Sequence, residues 1–434
     1  MTKGDGQGRV GFAVLARAPG FLRLWAVGGL SNGMRQFEIL AAGLFTFQVT
    51  HSGLAVAVVS ACRNLPMFVF GALAGVVSES LDRKTILAVA QGVSACASLV
   101  LAGLAFAGML APWQIAIAAL VSGTMWSTEG ATRRRMLGEA VAPALLARAY
   151  AFDSLTNALV RMAGPVGAGV AFAALGIGWA FAVAGACYLA ALILALGLRH
   201  SQVRARLELG RVAGDLAEGW AYARAHPAIA GSLLVTIATN VFAFSYIALV
   251  APVAERGFGV SPAWVGVLAA GEPVGALIAG LWLARFGPPF AGRTVMVGGS
   301  VLFLVAIALM PRMPDFALAC LVMIPGGLGS AGFSAMQTAL VAGAAPPEIR
   351  SRVLGLLTVC IGGGPLGILA LGALGHWIGD RAAMQVMAWA GLVVIAAVGL
   401  RWRRRERAGA PGVVAPLALL VPNDVRYDIK RDSP

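Results

Sequence analysis

Six ionisable side chains stand in segments otherwise apolar enough to lie in hydrocarbon: Arg35, Glu38, Arg63, Asp153, Arg161 and Glu272. A charge at the middle of a membrane helix costs about 2.5–3.5 kcal/mol on insertion scales, which makes each a candidate for function. Two kinds of chemistry suit them. A carboxylic acid in hydrocarbon is biased toward its neutral form and can take up and release a proton. A guanidinium presents a planar fork that grips carboxylate or phenolate oxygens. Glu272, in GEPVGALIAG, is the most isolated acid and the first candidate proton carrier, with Glu38 the second. Arg161 is the candidate anion-binding group. Asp153, Asn157 and Arg161 are four apart and stack on one helix face, a stripe that Pro165 continues; Asp153, nearer the end, also suits a gate. Asn32, Arg35 and Glu38 share a face in the same way, and Arg35 and Glu38 are spaced to pair directly. Arg63 is placed either to snorkel or to cap a helix contact. For all six the plainer reading is an ion pair that only ties helices together.

The elements that carry these residues are membrane spans. Of the 434 residues 59% are hydrophobic and only 12% charged, and the mean hydropathy is +0.83, whereas a soluble domain carries about 25% charged residues. Runs of roughly 20 apolar residues recur at 25–49, 54–77, 85–108, 114–132, 152–176, 178–198, 228–251, 263–285, 294–311, 316–343, 353–376 and 382–400. The fold class expected is all-α, twelve transmembrane helices in two pseudo-symmetric six-helix bundles. Twelve crossings put both ends on one side. That side holds 27 of the 33 Lys and Arg, which places the termini in the cytoplasm. Arg133, Arg134 and Arg135 read as a topology anchor, with Glu129 as their neutraliser. No cleavable leader is visible in the first two dozen residues.

Two echoes suggest duplication. GPVGAG at Gly164 recurs as GPLGIL at Gly364, and AGVVSESLDRK around Gly75 recurs weakly as AGLWLARFGPP around Gly280. Parallel six-span repeats are a transporter architecture with the substrate site between the halves near the midplane. The chain divides accordingly into an N-terminal segment (1–24), a first bundle (25–198), a linker (199–227) expected to form an amphipathic surface helix, a second bundle (228–400) and a tail (401–434), whose run VVAPLALLV is too short to span.

Between spans two and three stands Gly75-x-x-x-Glu79-x-x-Asp82-Arg83-Lys84. It resembles the loop motif of the major facilitator superfamily, with Glu for Asp, Ser80 for a basic residue and Asp82 for Gly. FLRLWAVGGLSNGMRQFEILAAGLFTFQVTHSGLAVAVV, RNLPMFVFGALAG and PPEIRSRVLGLLTVCIGGGPLG are similar to the superfamily's enterobactin exporter and transmembrane secretion effector branch. The resemblance covers nearly the whole chain. It implies a multi-pass inner-membrane efflux protein of bacteria, acting as a monomer, driven by inward proton flow without a cofactor, with lipids and a small amphiphilic substrate as its partners. On physical grounds Glu79 would meet the N-terminal end of span eleven near Arg350 to Val353 as a gating latch, while Arg83 and Lys84 anchor the loop at the headgroups. Gly164, Pro165, Gly167 and Gly169 resemble the antiporter motif of drug–proton exchangers and serve equally as a close-packing bend.

The sequence excludes several other classes. It has no Walker loop, no G-x-S-x-G elbow and no H-E-x-x-H, and no folded basic module for nucleic acid. The cysteines Cys62, Cys96, Cys187, Cys320 and Cys360 are single and read as core residues without metal or disulfide. Trp25, Trp113, Trp126, Trp264 and Trp389 fit interfacial belts or packing. Two rival readings stay open: a proton-coupled importer of an organic anion, and a non-transporting sensor or assembly protein of the same fold.

Overall fold

A computed structural model describes residues 14–198, 209–287 and 290–407, with the backbone alone for 72–80, 144, 147, 209–213, 284 and 406. Parts of the N-terminal segment, linker and tail therefore lie outside the described residues, as do the side chains of Gly75 and Glu79. The first half holds α1 (Phe21–Thr50), α2 (Gly53–Ser80), α3 (Arg83–Phe106), α4 (Pro112–Glu139) and α5 (Leu146–Leu196). After the linker helix α6 (Leu209–Ala225), the second holds α7 (Pro227–Phe242), α8 (Pro262–Phe286), α9 (Gly292–Leu309), α10 (Phe316–Ala344), α11 (Pro347–Ile361), α12 (Gly364–Ile378) and α13 (Asp380–Arg407).

Nine segments among the described residues are long and apolar enough to cross a membrane. One of them, α5, holds two crossings, because it leaves helical geometry at Gly176 (φ 78°, ψ 176°), a positive φ that glycine adopts without a Cβ clash. Helices α1 and α4 are 30 and 28 residues long and are less apolar because they carry charged residues of the site. They complete twelve spans, and the chain is an all-α multi-pass membrane protein. Two crossings are less regular than their sequence suggests. Span seven leaves α7 through a 3-10 stretch (Phe244–Leu249) and ends in a π turn (Val253–Gly257); Phe244 and Tyr246 there pack on Phe303, with ring centroids 5.1 and 5.7 Å away. Span eleven is split between α11 and α12, where three glycines and Pro365, which has no N–H to give, weaken the helix.

The halves meet along two crossings, α5 with α8 and α2 with α12. Small residues let the backbones touch. A Cβ on Gly169 of α5 would lie 2.6 Å from the Pro262 carbonyl oxygen, and one on Gly266 of α8 would collide with the Pro165 carbonyl. GPVGAG is thus a contact surface, and the non-helical residue of α5 falls at Gly176 instead. The face opposite the termini is closed across the halves. Arg256 donates to the His51 carbonyl, lies 3.3 Å from Asp380 and stacks 4.7 Å from the Phe47 ring centroid.

Candidate substrate and proton site

On the face that carries the termini, a cavity of ≈ 590 Å³ opens between the halves. Its α5 wall presents Tyr150, Asp153, Asn157 and Arg161, and its facing wall Pro273 and Ala276 of α8 with Ser330 and Ser334 of α10. From Tyr150 to Arg161 the α5 wall climbs about 16 Å at 1.5 Å per residue, roughly half the hydrocarbon thickness. The cavity ends at a charge pair that joins the halves. Arg161 Nη2 donates to Glu272 Oε2 at 2.8 Å, and the Ser330 hydroxyl donates to Glu272 Oε1. The Arg161 side chain is 42% exposed, that of Glu272 only 3%. Glu272 is therefore not isolated, as its sequence surroundings imply. Its partner comes from a helix 111 residues earlier in the chain.

Arg35 and Glu38 do not pair with each other. Glu38 turns toward α2 and α3, where Arg63 donates through both terminal nitrogens to Oε2 at 3.3 Å and Ser98 donates to Oε1 at 2.5 Å. Tyr188 adds a third donor at 3.3 Å. Arg63 thus neither snorkels nor caps; both members of the pair are buried inside the first half. Arg35 points the other way, over the Trp126 ring at 3.6 Å, with Asn64 Oδ1 accepting at 3.3 Å and its Nε buried without a hydrogen bond. Asn32 Oδ1 sits 3.5 Å from Trp126 Nε1, and Asn32 donates to the Gly28 carbonyl one turn back at 3.0 Å. Trp126 is the platform of a cation–π contact, a role beyond that of belt or packing.

Arg133 is no topology anchor. It is 2% exposed and grips Asp153 in bidentate fashion, at 2.6 and 3.1 Å, and Asn157 donates to the same carboxylate at 3.3 Å. Its guanidinium occupies the space that a side chain at Gly28 would need. Glu129, one turn before it on α4, is buried as well and accepts from Ser31 at 2.6 Å. The counter-ion of Arg133 is Asp153 of α5 and not Glu129, the neutraliser that the i,i+4 spacing suggested.

The loop between α2 and α3 also differs from expectation. Asp82 caps α3, accepting from the Thr85 N–H at 3.0 Å and from its hydroxyl at 2.6 Å. Arg83 does not reach for headgroups: it is 4% exposed and lies 2.7 Å from both oxygens of Glu139 at the end of α4. Lys84 is partly exposed. Near the start of α11, Arg352 is taken by Asp215 at 2.9 Å and Glu218 at 3.0 Å, both from the linker helix. None of the five cysteines is buried in the core and Cys96 is exposed, so they are surface and boundary residues of the bundle. Among the described residues no group of three His, Cys, Asp or Glu could hold a metal ion.

A membrane bundle whose halves are joined by an arginine–glutamate pair at the end of a one-sided cavity invites comparison with transporters. The family model described as transmembrane secretion effector matches residues 11–426. The chain belongs to this family. The enterobactin exporter EntS of Salmonella choleraesuis (strain SC-B67) is 26% identical over 358 residues, which cover 80% of this chain and 83% of that protein. EntS of Citrobacter koseri is 25% identical over the same shares. Solved structures share the fold at low identity. A bacterial homologue of the human lysosomal transporter Spinster, inward-facing and unoccupied, gives a TM-score of 0.70 at 15% identity over 90% of this chain and 98% of that one. A peptide transporter POT in complex with sulfate gives 0.73 at 12% identity over 92% and 98%. This member of the secretion effector family is thus a membrane transporter of the major facilitator type and not an enzyme.

Proposed function

We propose that the protein is a proton-coupled exporter of a small amphiphilic molecule, working by alternating access in the bacterial inner membrane with its termini and cavity facing the cytoplasm. The arginine bias supports the orientation, and the enterobactin exporters at 25–26% identity support the direction. The Arg161–Glu272 pair at the closed end of the cavity carries the coupling.

A gradient acts only through differential affinity, so the sign of the linkage between proton and substrate decides the direction of coupled flow. A substrate anion that takes Arg161 leaves Glu272 without its counter-charge, so anion and proton would bind together. Proton-driven export requires competition instead. A substrate that presents a cationic or O–H donor group to Glu272 displaces the proton, while Arg161 holds its acceptor oxygens. A polyphenol or zwitterionic amphiphile meets both conditions; a simple anion does not. The ion pair itself favours one second reading, import of an organic anion together with a proton.

Titrating the purified protein with enterobactin and with benzoate over a range of pH in detergent solution separates the two. Export predicts that enterobactin binds more weakly as pH falls, a proton signal lost in Glu272→Gln. Benzoate binding that tightens as pH falls, with enterobactin binding that does not weaken, would establish the importer and sink the exporter.

A further inference from the structure

A second cavity lies away from the candidate substrate site. It measures ≈ 910 Å³ and opens at the face of the termini, between the linker helix α6, the start of α7 and the end of α13. Its two ends differ in chemistry. At the rim stand Arg224, in the last turn of α6, and Arg401 and Arg405, one turn apart on α13 and so on one helix face. All three are exposed, none is in an ion pair among the described residues, and no carboxylate is among the lining residues. Below the rim, α7 contributes Ala230, Leu233, Leu234 and Ile237, spaced i, i+3, i+4 and i+7, so they form one apolar face. That face descends about 10 Å into the bundle, and Cys360 lies on its inner side. Trp220, 52% exposed and four residues before Arg224, stands beside the cations, as tryptophans do at headgroup level.

We propose that this slot binds one anionic phospholipid from the leaflet on the side of the termini. The phosphodiester sits among Arg224, Arg401 and Arg405, and the first stretch of an acyl chain lies on the α7 face. Charge complementarity selects the occupant: three guanidiniums with no counter-ion among the described residues stand over an apolar wall, at the depth where a lipid changes from headgroup to chain. The three arginines come from the linker and from the last span. A bound lipid would therefore tie the connection between the halves to the second half.

Native mass spectrometry of the full chain, released from detergent with added lipid, tests this. Phosphatidylglycerol is expected to stay bound where phosphatidylcholine dissociates. Arg224→Gln/Arg401→Gln/Arg405→Gln should retain phosphatidylglycerol of the order of 100-fold more weakly, since each arginine near an anionic surface contributes about five-fold. Arg403→Gln/Arg407→Gln, on the opposite face of α13, should keep wild-type retention, and Leu234→Trp, at an exposed position of the wall, should lose it without altering charge. The proposal is overturned by equal retention in the two arginine variants, which would mean a diffuse basic surface. It is also overturned if inorganic phosphate or glycerophosphoglycerol protects as well as the lipid. Binding that appears only after residues 408–434 are removed would give the slot to the chain's own tail and end the proposal too.

Discussion

Glu38 and Glu272 are both buried carboxylates, each held by one arginine and at least one serine, yet their settings differ. Every partner of Glu38 belongs to the first half: Arg63, Ser98 and Tyr188 enclose it and none needs to move when the halves do. Glu272 takes its arginine from the other half, and that arginine is 42% exposed to a cavity. The same chemistry is a rivet in one place and a contact that can be made and broken in the other. What separates them is which body each partner rides on, together with access to water.

The comparison can be broken by mutation. The largest effect is expected at Glu38: Glu38→Gln leaves Arg63 buried without a counter-ion, at a cost of about 3–5 kcal/mol. This would be read as a large fall in Tm in detergent, with Glu38→Leu/Arg63→Met recovering most of it. Unchanged stability with lost proton coupling would instead make Glu38 the carrier. Next comes Gly266→Val at the α5–α8 crossing, where the added side chain meets the Pro165 carbonyl. Overpacking of this kind costs about 1–3 kcal/mol, and spin labels on α5 and α8 should report the halves moved apart; an unchanged distance would show that the crossing has slack. Glu272→Gln should change stability by no more than about 1 kcal/mol, because water in the cavity can take over Arg161, while removing the proton signal. A drop as large as that of Glu38→Gln would erase the distinction between the two clusters. Smallest is Arg256→Gln on the closed face, where the arginine is 51% exposed and so solvated a partner contributes about 1 kcal/mol or less. There we expect faster labelling of a cysteine placed at Ser52 and little change in Tm.

How much of this was legible in the sequence divides along the same physical line. Spans, halves and one wall of the central cavity follow from hydropathy and helical periodicity, which are local. Thus Asp153, Asn157 and Arg161 line one wall as their spacing implies. Partners were not legible, because they depend on which way a helix face turns in three dimensions. Arg35 and Glu38 are spaced to pair and do not: one turns to α4, the other to α2 and α3. Arg133 sits in a run of arginines typical of a loop, yet it is buried because Asp153 lies within its reach and Gly28 leaves it room. Ser98 and Ser330 gave no signal at all, since a serine in a membrane helix is common and only its neighbour makes it part of a site.

The glycine contacts at the α5–α8 crossing carry one more consequence. Backbone rests on backbone there, with no side chain between to compress or swing aside. The contact of α2 with the junction of α11 and α12 has the same character, since a side chain at Gly362 would collide with the Phe68 backbone. Two such bearings, one on each flank of the interface, permit a turn about the line that joins them and resist sliding or separation. In the alternating access proposed above, a body with that single degree of freedom would open one mouth only as it shut the other, so leakage would be limited by the stiffness of its axle as well as by the strength of its gates.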